Sequence, residues 1–336
     1  MKASSPKRKL LFLNAFRLIV FLIVLEFLLR LLGNYKTQTE IYTGTYQYFF
    51  ENKVYSSWFH TFKPNSSSYY GNTEFQEINH YNDLGQREKS FASFKKDTSS
   101  IKIVCLGDSF TEGDGATYDS TWVRYVEAQL NSGGDCFNVY NAGVCGSDVF
   151  YNYIMLKEKL LESKPSYVIE CINNSDLTDV YYRGDLARFN EDGTLNSPNF
   201  KAWEVFFKYS HAIRFIISVF TPYDHNLVKR KDELETKVTI AEQIKKTQAF
   251  CKNNNIKYTL VIMPTAYEIK NADSEFRFEN FHLILNNRVA YINIFDCMEN
   301  KFPNQEIDAY YWLNDGHYNG KGYYEMGKCI MEELKL

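Results

Sequence analysis

Five short apolar runs, separated by stretches of helical period, leave few folds open to this chain of 336 residues. Residues 101–106, 137–141, 167–172, 257–263 and 291–295 read as strands, and Pro264 ends the fourth. Between them lie helical patterns. One runs from Trp122 to Leu130 with Trp122, Val123, Val126 and Leu130 on one face. A second, 148–162, aligns Val149, Tyr153, Leu156 and Leu160, and a third, 236–253, aligns Ile240, Ile244 and Phe250. A closing helix is expected from Gly320 to about Leu334. Strands separated by helices are crossover-linked, so the expectation is an α/β fold with a parallel, doubly wound sheet of about five strands.

The N-terminus has a different character. Residues 10–32 read LLFLNAFRLIVFLIVLEFLLRLL, enough for about 20 helical residues across a hydrocarbon core. Arg17 lies near one end, and Glu26 and Arg30 are four apart and can pair on one helix face. Lys2, Lys7, Arg8 and Lys9 precede the run and only Lys36 follows closely. That asymmetry predicts a cytoplasmic N-terminus and a main domain on the periplasmic or extracellular side. No Ala-x-Ala-like site follows in residues 31–37, so the segment is expected to stay as a single-pass anchor rather than be cleaved. The expected organisation is a basic tail at 1–9, a transmembrane anchor at 10–33, a stalk and wrap at 34–100 and a domain at 101–336. In the stalk, which is expected to hold a few short strands, 64–68 and 81–85 carry turn signals. A helical insertion at about 180–235 interrupts the domain; its apolar stretch from Phe200 to Phe220 reads as a helix packed on the domain, with a lid over the site as the functional alternative.

Composition excludes some partners. The net charge of −3 gives no basic surface for nucleic acid. Seven cysteines in no regular spacing imply no disulfide framework, and no Cys/His cluster has zinc-ligand spacing, so no metal or cofactor is expected. Cys105 and Cys171 fall in strands and read as small buried hydrophobes.

Chemistry concentrates at two places. Gly107-Asp108-Ser109-Phe110 follows the first strand directly, so a tight turn presents the Ser109 hydroxyl at the carboxyl edge of the sheet, where open α/β sheets bind ligands. Asp315-Gly316-His317 stands about 200 residues later, just before the closing helix. A serine, a histidine and a carboxylate are what nucleophilic acyl transfer needs, provided the fold brings them together. His60, His80, His211, His225 and His282 lack such a context and read as structural or solvated. Asp108, Asp176, Asp179 and Asp296 read as turn or cap residues.

With these blocks in hand the chain resembles the SGNH hydrolase superfamily, the GDSL-type esterases and acyltransferases. The resemblance rests on Gly107-Asp108-Ser109-Phe110-Thr111, Asn141-Ala142-Gly143, Asn173-Asn174-Ser175-Asp176 and Asp315-Gly316-His317-Tyr318-Asn319 followed by Gly322, in family order over about 100–180 and 255–333. It implies a flavodoxin-like three-layer sandwich. It also implies Ser109 as nucleophile, His317 as general base and Asp315 as the acid that orients it. The oxyanion hole would combine the backbone N–H groups of Ser109 and Gly143 with the amide of Asn174, or of Asn173. Two departures stand out. The family usually spaces acid and base as Asp-x-x-His, which would select Asn314, whereas this chain has Asp-x-His, as in the alginate O-acetylating relatives. The usual Gly-x-Asn-Asp block reads Asn173-Asn174-Ser175-Asp176 here. The implied activity is hydrolysis of an O-acylated, above all O-acetylated, envelope or extracellular glycan through an acyl-serine. Alternatives are O-acyl transfer onto a glycan with a membrane protein as acyl donor, a lysophospholipase or lipid esterase, and a non-catalytic glycan-binding or assembly protein.

Overall fold

A computed structural model describes residues 6–32, 62–189, 210–220, 233–271, 289, 291–301 and 307–334. The elements in chain order are α1 (Pro6–Leu32), β1 (Ser66–Gly71), β2 (Gln76–Tyr81), α2 (Phe91–Lys96), β3 (Ile101–Leu106) and α3 (Ser109–Glu112). Then come α4 (Trp122–Leu130), β4 (Phe137–Asn141), α5 (Val149–Glu158), β5 (Tyr167–Ile172), α6 (Asn174–Arg183) and α7 (His211–Phe220). The chain continues with α8 (Glu233–Asn253), β6 (Lys257–Ile262), α9 (Ala266–Asn271), β7 (Tyr291–Asn293), α10 (Phe295–Lys301) and α11 (Gly320–Glu333). They fall into two compact units, one holding α1 and α7, the other all the rest.

The larger unit is built on a five-stranded sheet in the order β4-β3-β5-β6-β7, every pair parallel. The central strand β3 explains its own sequence. Val104 and Leu106 face a core shared with α2, α5 and α8. Ile103 and Cys105 face the opposite core with α4 and α11. A strand covered on both sides needs apolar residues throughout, so its sequence shows no period of two. Helices on both faces give the three-layer sandwich. From β3 the chain crosses first to β4 on one side and then back to β5 on the other, which opens a cleft at the carboxyl ends of β3 and β5.

Some expected boundaries move. The last strand ends at Asn293, because its side chain accepts from Phe295 N at 3.1 Å and starts α10 there. The helix expected over 148–162 breaks at Lys159 into a 3₁₀ turn at Leu160–Ser163. Ser66, Ser67 and Ser68, expected in a turn, begin β1, which pairs antiparallel with β2. Cys297 and Cys329 form a disulfide between α10 and α11 that their spacing does not announce. The stalk up to residue 61 and the insertion over 190–209 and 221–232 lie outside the described residues.

In the smaller unit, α1 contains 23 residues, Lys9–Leu31, long and apolar enough to cross a membrane. Arg30 Nε donates to Glu26 Oε1 at 2.7 Å. The same carboxylate accepts from Ser210 Oγ (2.8 Å), His211 N (3.1 Å) and Ala212 N (2.8 Å), so it caps the N-terminus of α7 from a different helix. The packing partner of α7 within its unit is thus α1.

Candidate active site

Ser109 owes its placement to a backbone constraint. Gly107 leaves β3 at φ +156°, and a Cβ there would lie 2.2 Å from Thr111 Oγ1 and 2.9 Å from Cys171 O. Only glycine turns the chain this tightly. Asp108 then caps α3 by accepting from Phe110 N at 3.0 Å, and Ser109 becomes the first helical residue. The other oxygen of Asp108 accepts from Asn173 Nδ2 (2.8 Å) and lies 2.6 Å from Ser175 Oγ, tying the turn to the start of α6.

His317 arrives on a separate loop. Trp312 N donates to His317 O at 2.9 Å and Gly316 N to Trp312 O at 2.7 Å, closing a tight turn with Gly316 at φ +89°. Trp312 Nε1 donates to Gly115 O (2.7 Å), and the buried Tyr318 donates its hydroxyl to Pro264 O (2.6 Å). Asn319 caps α11 immediately afterwards. These contacts bring together residues 208 apart in sequence: His317 Nε2 lies 2.7 Å from Ser109 Oγ, and His317 Nδ1 lies 2.5 Å from Asp315 Oδ1. With Nδ1–H donating to the carboxylate, Nε2 is left to accept from the serine hydroxyl. Asn314 turns away, its backbone N and its Nδ2 both donating to Glu74.

Burial disfavours the imidazolium, but the hydrogen bond to Asp315 and the charges of Asp114, Asp315 and Asp108 outweigh it and raise His317 above its ordinary range. Burial pushes Asp315 up, yet its bonds to His317 and Asn72 hold it below the usual carboxylate range. Behind the serine, Glu112 and Asp114 are buried in the same turn. Glu112 Oε2 accepts from Cys145 N at 2.6 Å, and Asp114 Oδ2 accepts from Tyr70 OH at 3.1 Å. Burial first, and for Glu112 the charge of Asp114 next, pushes both carboxyls up.

Ser109 and His317 open onto a cavity of about 460 Å³, within the range of small-ligand sites. Its lining includes Phe110, Gly146, Ser175, Asp179, Thr265 and Tyr267. The expected oxyanion donors do not all reach it. Gly143 N donates to Asn141 Oδ1 at 3.0 Å, and a Cβ on Gly143 would meet Glu112 N at 2.3 Å, so this glycine packs against α3 rather than lining the cavity. Asn173 is buried and spends its amide on Asp108, and Asn174 is absent from the lining. Gly146 lines the cavity instead, at φ +71°. Among the described residues neither Ser109 N–H nor Gly146 N–H has an acceptor. The signal for Gly146 was the second glycine of Asn141-Ala142-Gly143-Val144-Cys145-Gly146.

No family model matches the chain, and no curated protein matches it. Among solved structures it is similar to a catalytic mutant of an acetylxylan esterase from Geobacillus stearothermophilus, with 16% identity over 72% of this chain and 97% of that one and a TM-score of 0.45. It is also similar to a lipase/acylhydrolase from Enterococcus faecalis, at 15% identity over 69% of this chain and 94% of that one, TM-score 0.41. A third is a GDSL-like lipase from Bacteroides thetaiotaomicron, at 15% identity over 72% of this chain and 93% of that one, TM-score 0.40.

Proposed function

We propose that the protein is a serine-dependent acyl-ester hydrolase acting on an O-acylated glycan. The observation that carries this reading is the chain of contacts from Ser109 Oγ through His317 to Asp315, at 2.7 and 2.5 Å, on the wall of a cavity open to solvent. A serine hydroxyl is a weak nucleophile that becomes effective beside a base oriented by a third group. In the proposed reaction Ser109 Oγ attacks the acyl carbon and its proton passes to His317 Nε2. The N–H groups of Ser109 and Gly146 hold the oxyanion, each such donor being worth about 2.7–4 kcal/mol in the transition state. Collapse breaks the ester bond, and His317 returns the proton to the departing sugar hydroxyl. Water then attacks the acyl-serine by the same steps and releases the acid.

The cavity chemistry supports a sugar-borne, short acyl group. Asp179, Ser175 and Thr265 are polar groups suited to hydroxyls, and Tyr267, 58% exposed, offers a ring of the kind sugars stack on. We place the domain outside the cytoplasm, tethered by α1. The basic residues ahead of the helix support this orientation, as does the Cys297–Cys329 disulfide, a bond that persists in oxidising compartments. The test is turnover of acetyl esters by the full chain in detergent. Ser109→Ala should remove it by on the order of 10⁶-fold while the circular dichroism spectrum is unchanged. Retention of a tenth of the activity would exclude Ser109 as nucleophile.

A further inference from the structure

The hairpin of β1 and β2 precedes the sheet by some twenty residues, in a stretch whose sequence suggests a wrap with a few short strands. Its turn reaches the acid of the site. Asn72 Oδ1 accepts from Glu74 N at 2.7 Å, and Asn72 N donates to Phe75 O at 2.9 Å, which fixes the Asn72 side chain. Asn72 Nδ2 then donates to Asp315 Oδ2 at 3.0 Å, the carboxylate oxygen that His317 does not use. Glu74 takes the loop itself: its carboxylate accepts from Asn314 N at 3.1 Å, Asn314 Nδ2 at 3.1 Å and Asp315 N at 3.0 Å. Two further contacts brace the hairpin. The Phe75 ring lies 5.5 Å from that of Trp312, and Tyr70 donates to Asp114.

The need for such support follows from the local chemistry of the loop. Asp315 stands two residues from His317 with Gly316, at φ +89°, between them, and the backbone bonds of that turn leave the carboxylate itself unheld. Its own loop gives the carboxylate little else: His317 N approaches Asp315 Oδ1 at only 3.4 Å. A carboxylate that rotates away from Nδ1 no longer fixes the imidazole tautomer. The two restraints come from residues 240 or more positions upstream.

We propose that the β1–β2 hairpin is a positioning arm of the active site, in which Asn72 and Glu74 hold Asp315 in register with His317. The proposal rests on reading Ser109, His317 and Asp315 as the catalytic set, and the test separates the two. Full-length protein in detergent is reacted with a fluorophosphonate, which modifies an activated serine whatever the natural substrate, and the rate is followed against pH. Wild type should label at Ser109 and Ser109→Ala should not; a wild type that does not label overturns the catalytic reading and the arm together.

Given labelling, Asn72→Ala should slow it between about two- and tenfold, the effect of one modest hydrogen bond on a barrier, with the melting temperature unchanged. In an Asp315→Asn background the same substitution should cost nothing more, since Asn72 acts only through that carboxylate. Asn72→Asp adds a negative charge to those already facing the imidazole from Asp315, Asp114 and Asp108, and to Glu74 behind the loop. It should move the acidic limb of the profile to higher pH, which a merely structural lesion would not. Glu74→Ala should slow labelling, and Glu74→Gln, which keeps one acceptor oxygen, should restore most of the rate. The arm is overturned if the Asn72→Ala loss adds in full to that of Asp315→Asn, or if Asn72→Asp leaves the acidic limb in place.

Discussion

His317 sits between two oxygens, at 2.7 Å from Ser109 Oγ and 2.5 Å from Asp315 Oδ1, so the proposed reaction should follow the titration of this ring. A base works only when neutral, and this imidazole is held above its ordinary value of 6.5 against the pull of burial. We expect kcat/KM for an acetyl ester to rise with pH through an apparent pKa above 6.5. Asp315→Asn should cost about 10⁴-fold by leaving the imidazole in the wrong tautomer, while Asn314→Ala, remote from the ring, should be mild. Steady-state kinetics of the two variants decide this, and a near-wild-type Asp315→Asn would point to a Ser-His dyad. At this scale the meeting of Ser109, Asp315 and His317 was legible because each adjoins a strand end or a helix start. The backbone N–H groups left open to the cavity were not. Which of Gly143 and Gly146 offers a free N–H depends on where the Asn141 side chain goes, and the amide of Asn173 was claimed by Asp108. Side-chain competition of this kind leaves no mark in spacing.

Elements whose faces are wholly apolar were easy to place, and those defined by polar contacts were not. The strands and the helices at 122–130 and 320–333 follow from period and burial alone. Short strands were expected in the stalk, but not where the hairpin turn would go, because β1 alternates between half-buried and exposed residues without a hydrophobic face and the turn is held by polar contacts. The pairing of α1 with α7 was hidden for a similar reason. Glu26 was expected to pair with Arg30, which it does, but the same carboxylate also accepts three donors from residues 210–212. Removing a helix cap costs about 1 kcal/mol. Glu26→Ala should therefore loosen the start of α7, seen as faster proteolytic cleavage around residues 210–220 in the detergent-solubilised chain. Unchanged cleavage would mean that the cap contributes nothing to holding that helix.

For the molecule as a whole, the core carries a titration liability of its own. Glu170 is fully buried in β5, where Tyr258 donates to Oε2 at 2.5 Å and Asn152 to Oε1 at 3.1 Å. Burial raises its pKa to about 7 despite both bonds. The folded chain therefore holds a proton that the unfolded chain releases above about 4.5, and this group's contribution to stability falls as pH rises from there to about 7. Glu170→Gln keeps the shape and removes the charge. Its melting temperature should match wild type near pH 4.5 and exceed it at pH 8, by the equivalent of on the order of 3 kcal/mol. A difference that does not grow with pH would show Glu170 to be ionised without penalty.

The distance along the chain between nucleophile and base also sets a timetable. Ser109 and His317 are 208 residues apart. At roughly 5–20 residues per second the ribosome takes about 10–40 s to add the second after the first. Throughout that interval Ser109 lacks the base that the proposed reaction requires, and the nascent chain should not cleave an ester. On that reading competence arrives only after the loop carrying His317 has been made and has itself left the exit tunnel.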